Sequence, residues 1–285
     1  PSRLAPLALC LALVFATTGL FAQQPDASPL TEEETHHAPG LAQGVAVDRP
    51  GLTAEQEARY QTGLRAYQEH RYQDAIRTYV ALARDNTCCG VLGMVVASYA
   101  STAPSPSIAT RFQAEADAAP GDLLKQFIAG VVSHYAAHHS GRSREEKSRL
   151  YEQCIRYLER TRPQYEFEPR LFIYLAVSNF RLGHQREAEA LIERAVTLAR
   201  NDPDAYYCRA EIFQRSNIQR SIDDIDTYLR MIAVFEARGA RGDPGKTARV
   251  RSMREHLVKV SRGEASPTEL FDPVQNFNQS RPPEE

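Results

Sequence analysis

Apolar side chains recur along this chain at the spacing of amphipathic helices, and the pattern is clearest between residues 168 and 231. Two runs place apolar groups three or four residues apart, as expected for one buried helix face. The runs are Phe172, Leu175, Ala176 and Phe180, followed by Ala188, Leu191, Ile192, Ala195 and Val196. Gly183 and His184 separate them, a break short enough to fold the second helix back on the first. The pattern predicts helical hairpins that follow one another along the chain.

Small residues recur at a fixed interval in these predicted hairpins, in one series for each helix. The first-helix series is Gly63, Ala97, Gly130, Ala176 and Ala210, and the second-helix series is Ala75, Ala109, Cys154, Ala188 and Ser221. Both series keep a spacing of 33 or 34 residues except in the third unit, where one interval in each is longer by about a dozen residues. Two series with one period indicate about five stacked units.

This arrangement resembles the tetratricopeptide repeat, a helical pair of about 34 residues. The resemblance covers residues 53–237, and the sequence YQDAIRTY at 72–79 is similar to the family's second-helix opening. It implies an all-α fold, a right-handed α-solenoid of about five hairpins at residues 53–240, with a C-terminal capping helix at 241–264. The small positions where its helices cross closely would include Gly63, Ala75, Gly130, Ala176, Ala188 and Ala210.

Local signals refine this prediction. Thr53 and Gln56 match a capping box, which marks a helix start. The apolar stretch at 88–102 predicts a first helix that is buried on all sides and contains Gly90, and Ser107 is expected to cap the helix after it. The acidic run at 223–226 is expected to form a solvated helix face. In the capping helix, Val250, Met253, Leu257 and Val260 share one apolar face.

The resemblance also implies a concave groove that binds a peptide segment or a surface of a partner protein. Its lining residues would be Tyr60, Leu64 and Tyr67 in the first unit, Phe127 and His134 in the third, and Ile173, Phe180 and Arg181 in the fourth. Tyr67, Phe180 and Arg181 lie nearer the helix ends, so we expect them to be more exposed than the others. For Ile173 and Leu64, packing against the neighbouring first helix is an equal alternative.

The chain ends have a different character from the repeats. Arg3 followed by the apolar stretch 7–15 predicts a secretory signal peptide at 1–22, with a membrane anchor as the alternative. Residues 23–52 and 265–285 are rich in Pro and polar groups and are expected to be a disordered linker and tail. Export would place the chain in a bacterial periplasm or at the periphery of the outer membrane.

Composition argues against several functions. A net charge of -2 and a pI near 6.5 give no reason to expect a nucleic-acid partner. No phosphate-binding glycine loop, dinucleotide fingerprint or nucleophile elbow occurs, so we expect neither an enzyme nor a cofactor. Cys88, Cys89, Cys154 and Cys208 remain after signal cleavage, and we favour buried thiols over disulfides, although export permits either.

The function expected from the resemblance is that of a non-catalytic scaffold or adaptor in a cell-envelope assembly, such as a secretion, outer-membrane biogenesis, pilus or motility complex. Its partners would be proteins, with no small-molecule substrate and only indirect membrane contact. The alternative is an envelope protein that binds a metal or small ligand through His134, His138 and His139, since His134 and His138 share one helix face.

Overall fold

The computed structural model describes residues 51–87, 90–102, 104–137, 143–237 and 244–266. The predicted signal peptide, nearly all of the linker and the tail from residue 267 therefore lie outside the described residues. The same holds for Cys88, Cys89, His138 and His139.

Eleven helices form the described part of the chain, which contains no strand. They are α1 (Ala54–Gln68), α2 (Tyr72–Asp85), α3 (Val91–Ser101), α4 (Pro106–Asp117), α5 (Leu123–Ala137), α6 (Arg144–Thr161), α7 (Pro169–Arg181), α8 (Gln185–Leu198), α9 (Pro203–Phe213), α10 (Ile218–Ala237) and α11 (Pro244–Ser261). None of these helices combines the length and apolar character that crossing a bilayer requires. The predicted all-α class is confirmed.

Helices adjacent in sequence pack against one another, as in α1 with α2, α5 with α6, and α7 with α8. A second set of contacts joins alternate helices: α3 packs on α5, α5 on α7, and α7 on α9. We call α1, α3, α5, α7 and α9 the first helices, because each opens one of the predicted hairpins. The neighbouring first helices from α3 to α9 thus form a continuous packed row.

The small residues of both series lie in the interior. All ten are buried, and Ala75, Ala97, Ala109, Cys154, Ala176, Ala188, Ala210 and Ser221 have no exposed surface. A Cβ atom on Gly63 would lie 2.7 Å from the Tyr79 ring, and one on Gly130 would lie 2.6 Å from Leu158. The helices therefore approach too closely at these two glycines for any side chain to fit without a shift.

Capping residues set the helix starts. Thr53 and Gln56 form the predicted capping box at α1. Proline occupies the first turn of both α7 and α9, where its fixed φ suits a helix and its missing N–H is not needed. The caps of these two helices are Glu168 and Asp202, each accepting a hydrogen bond from the amide two residues later. Equivalent positions in neighbouring units therefore begin their helices in the same way.

Two expectations about the second unit need correction. Ser105, not Ser107, caps α4, because Pro106 fits the first helical position and the Ser105 hydroxyl accepts from the Ile108 amide. Gly90 precedes α3 instead of lying inside it, and its φ of 81° is a left-handed conformation that favours glycine. The predicted burial of α3 is confirmed, since every residue from 91 to 100 is buried.

The apolar core consists of one large cluster and smaller ones. The large cluster runs from Tyr60 in α1 to Phe213 in α9. A separate cluster joins α9, α10 and α11 through Ala210, Ile222, Ile225, Tyr228, Ile232, Val250, Met253 and Leu257. Val250, Met253 and Leu257 are buried as predicted, whereas Val260 is half-buried. The helix α11 therefore covers the end of the packed helices with its apolar face.

Candidate functional site

Most of the predicted groove residues are buried. Tyr60, Tyr67, Phe127, His134 and Ile173 are each at most 5% exposed. The expectation that Tyr67 is exposed is therefore wrong. Its ring packs edge-on against Tyr72 with centroids 5.5 Å apart, and its hydroxyl lies 3.0 Å from Ser101 Oγ in α3. The first helices approach one another closely enough to cover these side chains.

Burial of His134 and Phe127 has the same cause. The imidazole of His134 packs against the Tyr174 ring with centroids 4.8 Å apart, and its Nδ1 lies 3.2 Å from Ser178 Oγ. Both contacts are made to α7, the next first helix. Phe127 packs edge-on against Tyr165 in the segment between α6 and α7. These two residues therefore stabilise the helix packing and do not line an open surface.

The remaining groove residues keep some accessible surface. Leu64 and Phe180 are half-buried, and Arg181 is exposed. The Arg181 guanidinium lies 5.7 Å from the Phe180 ring centroid and donates a hydrogen bond to the buried Glu211 carboxylate in α9. Arg181 therefore forms an ion pair within its own chain, and Glu211 neutralises its charge.

A group of charged side chains that the sequence analysis did not single out lies between α7, α9 and α11. We call Arg170, Asp202, Asp204 and Lys246 the charged cluster. Arg170 Nη2 lies 2.9 Å from Asp202 Oδ2, and its Nη1 donates to Asp204 Oδ2 at 3.3 Å. Lys246 Nζ donates to the other oxygen, Asp204 Oδ1, at 2.5 Å. All four side chains are 15% exposed or less, so this is an interior ion-pair network.

The two carboxylates of the cluster differ in protonation behaviour. Burial raises the pKa of Asp202 above its usual value, against the attraction of Arg170, and the nearby Asp204 carboxylate adds to the rise. Burial would also raise the pKa of Asp204, but Lys246 and Arg170 together hold it below its usual value. Asp204 is therefore the firmly ionised centre of the cluster, with a cation on each oxygen.

Polar contacts extend the cluster towards α5. The hydroxyls of Tyr135 and Tyr174 lie 2.7 Å apart, and Tyr174 is one turn beyond Arg170 in α7. Arg170 also acts electrostatically on both phenols, opposing the rise that burial causes in the pKa of each. Specific polar contacts thus link α5, α7, α9 and α11. A network of this kind favours one mutual arrangement of the helices over alternatives.

The acidic run at 223–226 is not a solvated face, which corrects the expectation from sequence. Asp224 is buried and accepts from Arg209 Nε at 2.8 Å and Nη2 at 2.6 Å. Asp226 accepts from Arg254 Nε at 2.5 Å. The two acids therefore bind α9 and α11 to α10, and only Asp223 of the three is exposed.

A cleft is lined by residues of α6, α7 and α8 and of the segment between α6 and α7. We call it the Phe172 cleft: it is lined by Glu159, Arg162, Pro163, Glu166, Phe172 and Arg194, with a volume of about 530 Å³. The guanidinium carbons of Arg162 and Arg194 lie 5.7 and 6.0 Å from the centroid of the buried Phe172 ring. Two cations, one just after the end of α6 and one in α8, thus lie within cation–π range of one aromatic ring.

The charges that line this cleft are unequally paired, and an exposed aromatic residue follows one of its lining residues in sequence. Phe167 directly follows Glu166 and is 73% exposed. Arg162 Nη1 donates to both oxygens of Glu159, at 3.2 and 3.3 Å. Arg194 makes no ion pair within the described residues, and neither does Glu166. The cleft therefore presents guanidinium donors that no acceptor of the described chain occupies.

The alternative histidine site is only partly within the described residues. His134 packs among Tyr135, Tyr151 and Tyr174, while His138 and His139 lie outside that part of the chain. In the described ranges, no group of three His, Cys, Asp or Glu side chains is placed to hold a metal ion. Cys154 is buried, and burial raises the pKa of its thiol to about 12, so it is a protonated packing residue.

Sequence reasoning missed the charged cluster and the Phe172 cleft for different reasons. The contact between Arg170 and Asp204 could have been predicted from the sequence, because these opposite charges are 34 residues apart, the same interval as the small residues. The sequence pattern placed Phe172 only on an apolar helix face. It could not predict that Arg162 and Arg194 lie near the Phe172 ring.

Comparisons with known proteins add no relative to this picture. No family model, no curated protein and no solved structure matches this chain. The resemblance to tetratricopeptide repeats therefore rests on the residue spacing and on the sequence at 72–79.

Proposed function

We propose that this chain is a non-catalytic scaffold that binds a partner protein through the Phe172 cleft. In this proposal the helices form a right-handed solenoid of about five tetratricopeptide-like hairpins, with α11 as the cap. Two observations support the repeat architecture: the ten small residues are buried, and alternate helices from α3 to α9 pack in a row.

The observation that carries the binding function is a cleft in which two arginines lie near the Phe172 ring, with the exposed Phe167 next in sequence to the lining residue Glu166. Covering the Phe167 ring on binding would remove its apolar surface from water, which is favourable. Aromatic and arginine side chains also dominate the binding energy of protein interfaces. Phe172 lies in the buried helix α7, which gives the cleft a fixed base.

We further propose that the protein acts in a bacterial cell envelope, after export and removal of residues 1–22. A secretion, outer-membrane biogenesis, pilus or motility complex would each use a module of this kind. Its partners would be proteins, and any membrane contact would be made through them.

Site-specific photo-crosslinking in the native cell tests the binding function. A photoreactive phenylalanine analogue is placed at position 167, and the matched control carries it at position 234, because Val234 is also an exposed large apolar residue. We expect a discrete adduct with a partner protein at 167 that is absent at 234. Adducts of equal yield and size at both positions would contradict the assignment of the cleft.

A further inference from the structure

We draw no further inference here: the strongest candidate, the surface pocket of about 250 Å³ at the turn between α1 and α2, lined by His70, Arg71, Tyr72, Gln73, Asp74 and Thr102, carries nothing, because His70 already bonds to Tyr72 and Arg71 to Asp74, and nothing in the structure shows what covers it.

Discussion

Arg170 and Asp204 lie 34 residues apart at equivalent positions of neighbouring first helices, and their side chains are hydrogen-bonded at 3.3 Å. Tyr67 and Ser101 repeat this relationship between α1 and α3, again 34 residues apart. In both pairs, the interval between the contacting residues is the interval that recurs in the two series of small residues. The spacing of the small residues thus has a direct counterpart in side-chain pairing.

Removal of the central acid of the charged cluster is expected to be costly. Asp204→Ala would leave Arg170 and Lys246 buried without the carboxylate that pairs with both, and breaking a buried ion pair typically costs about 3–5 kcal/mol. Urea denaturation measures the loss. Asp223→Ala is the matched control, because Asp223 is exposed, and it should change the free energy of unfolding by at most about 0.5 kcal/mol. Equal losses in the two variants would contradict this role of Asp204.

The two acids of the cluster should have opposite effects on stability in acid. The pKa of Asp204 is lowered in the folded state, so its ionisation stabilises the fold above the unfolded value of about 3.9 and this contribution is lost as pH falls further. The pKa of Asp202 is raised, so the stability linked to its protonation is present at low pH and lost as pH rises through the folded value.

Urea midpoints measured between pH 3 and 7 test this assignment. Asp204→Asn should make the fall in stability at acid pH shallower, whereas Asp202→Asn should make it steeper. The pKa of Glu168, the cap of α7, is raised by burial and contributes in the same direction as Asp202 in every variant. If the fall in the urea midpoint at acid pH becomes shallower in both variants, or steeper in both, the assignment is wrong.

Close packing at the first small position predicts an unusual effect of Gly63→Ala. A helical Gly→Ala change normally stabilises by about 1 kcal/mol. Here the new Cβ would lie 2.7 Å from the Tyr79 ring, whose hydroxyl donates to the Tyr60 carbonyl at 3.1 Å. We expect overpacking to outweigh the helix gain and to cost about 1–3 kcal/mol. Thermal melting measures it, with Gly121→Ala, which meets nothing within 4 Å, as the variant that should be nearly neutral.

Tyr67 is expected to behave as a core residue. Because it is buried against Tyr72, Tyr67→Ala should cost about 3–5 kcal/mol, in the range of other large-to-small aromatic truncations. Its exposed neighbour Gln68 provides the control, and Gln68→Ala should change the free energy of unfolding by at most about 0.5 kcal/mol. If both variants change the free energy of unfolding by similarly small amounts, Tyr67 lies on an accessible surface and its assignment to the core is wrong.

Periodic features of the structure could be predicted from the sequence, and features that depend on inter-helix distance could not. The small positions such as Ala176 and Ala210 were predicted because burial at a helix crossing restricts residue size at a fixed interval. Exposure of Tyr67 was predicted wrongly because it depends on how closely α1 and α3 approach. The Phe172 cleft was missed because Arg162 follows the end of α6 whereas Arg194 lies in α8, with 31 residues between their positions.

The separation of the apolar core into clusters has a consequence for how the molecule opens. Repeat arrays can unfold locally, because each unit contacts only its neighbours. Here α11 belongs to the smaller apolar cluster. Lys246 at its start contacts Asp204, and Asp204 also pairs with Arg170 of α7, a helix whose apolar residues belong to the larger cluster. Amide hydrogens of α7 and α11 should therefore exchange in a single cooperative event, so that fraying of α11 affects a helix four elements earlier in the chain.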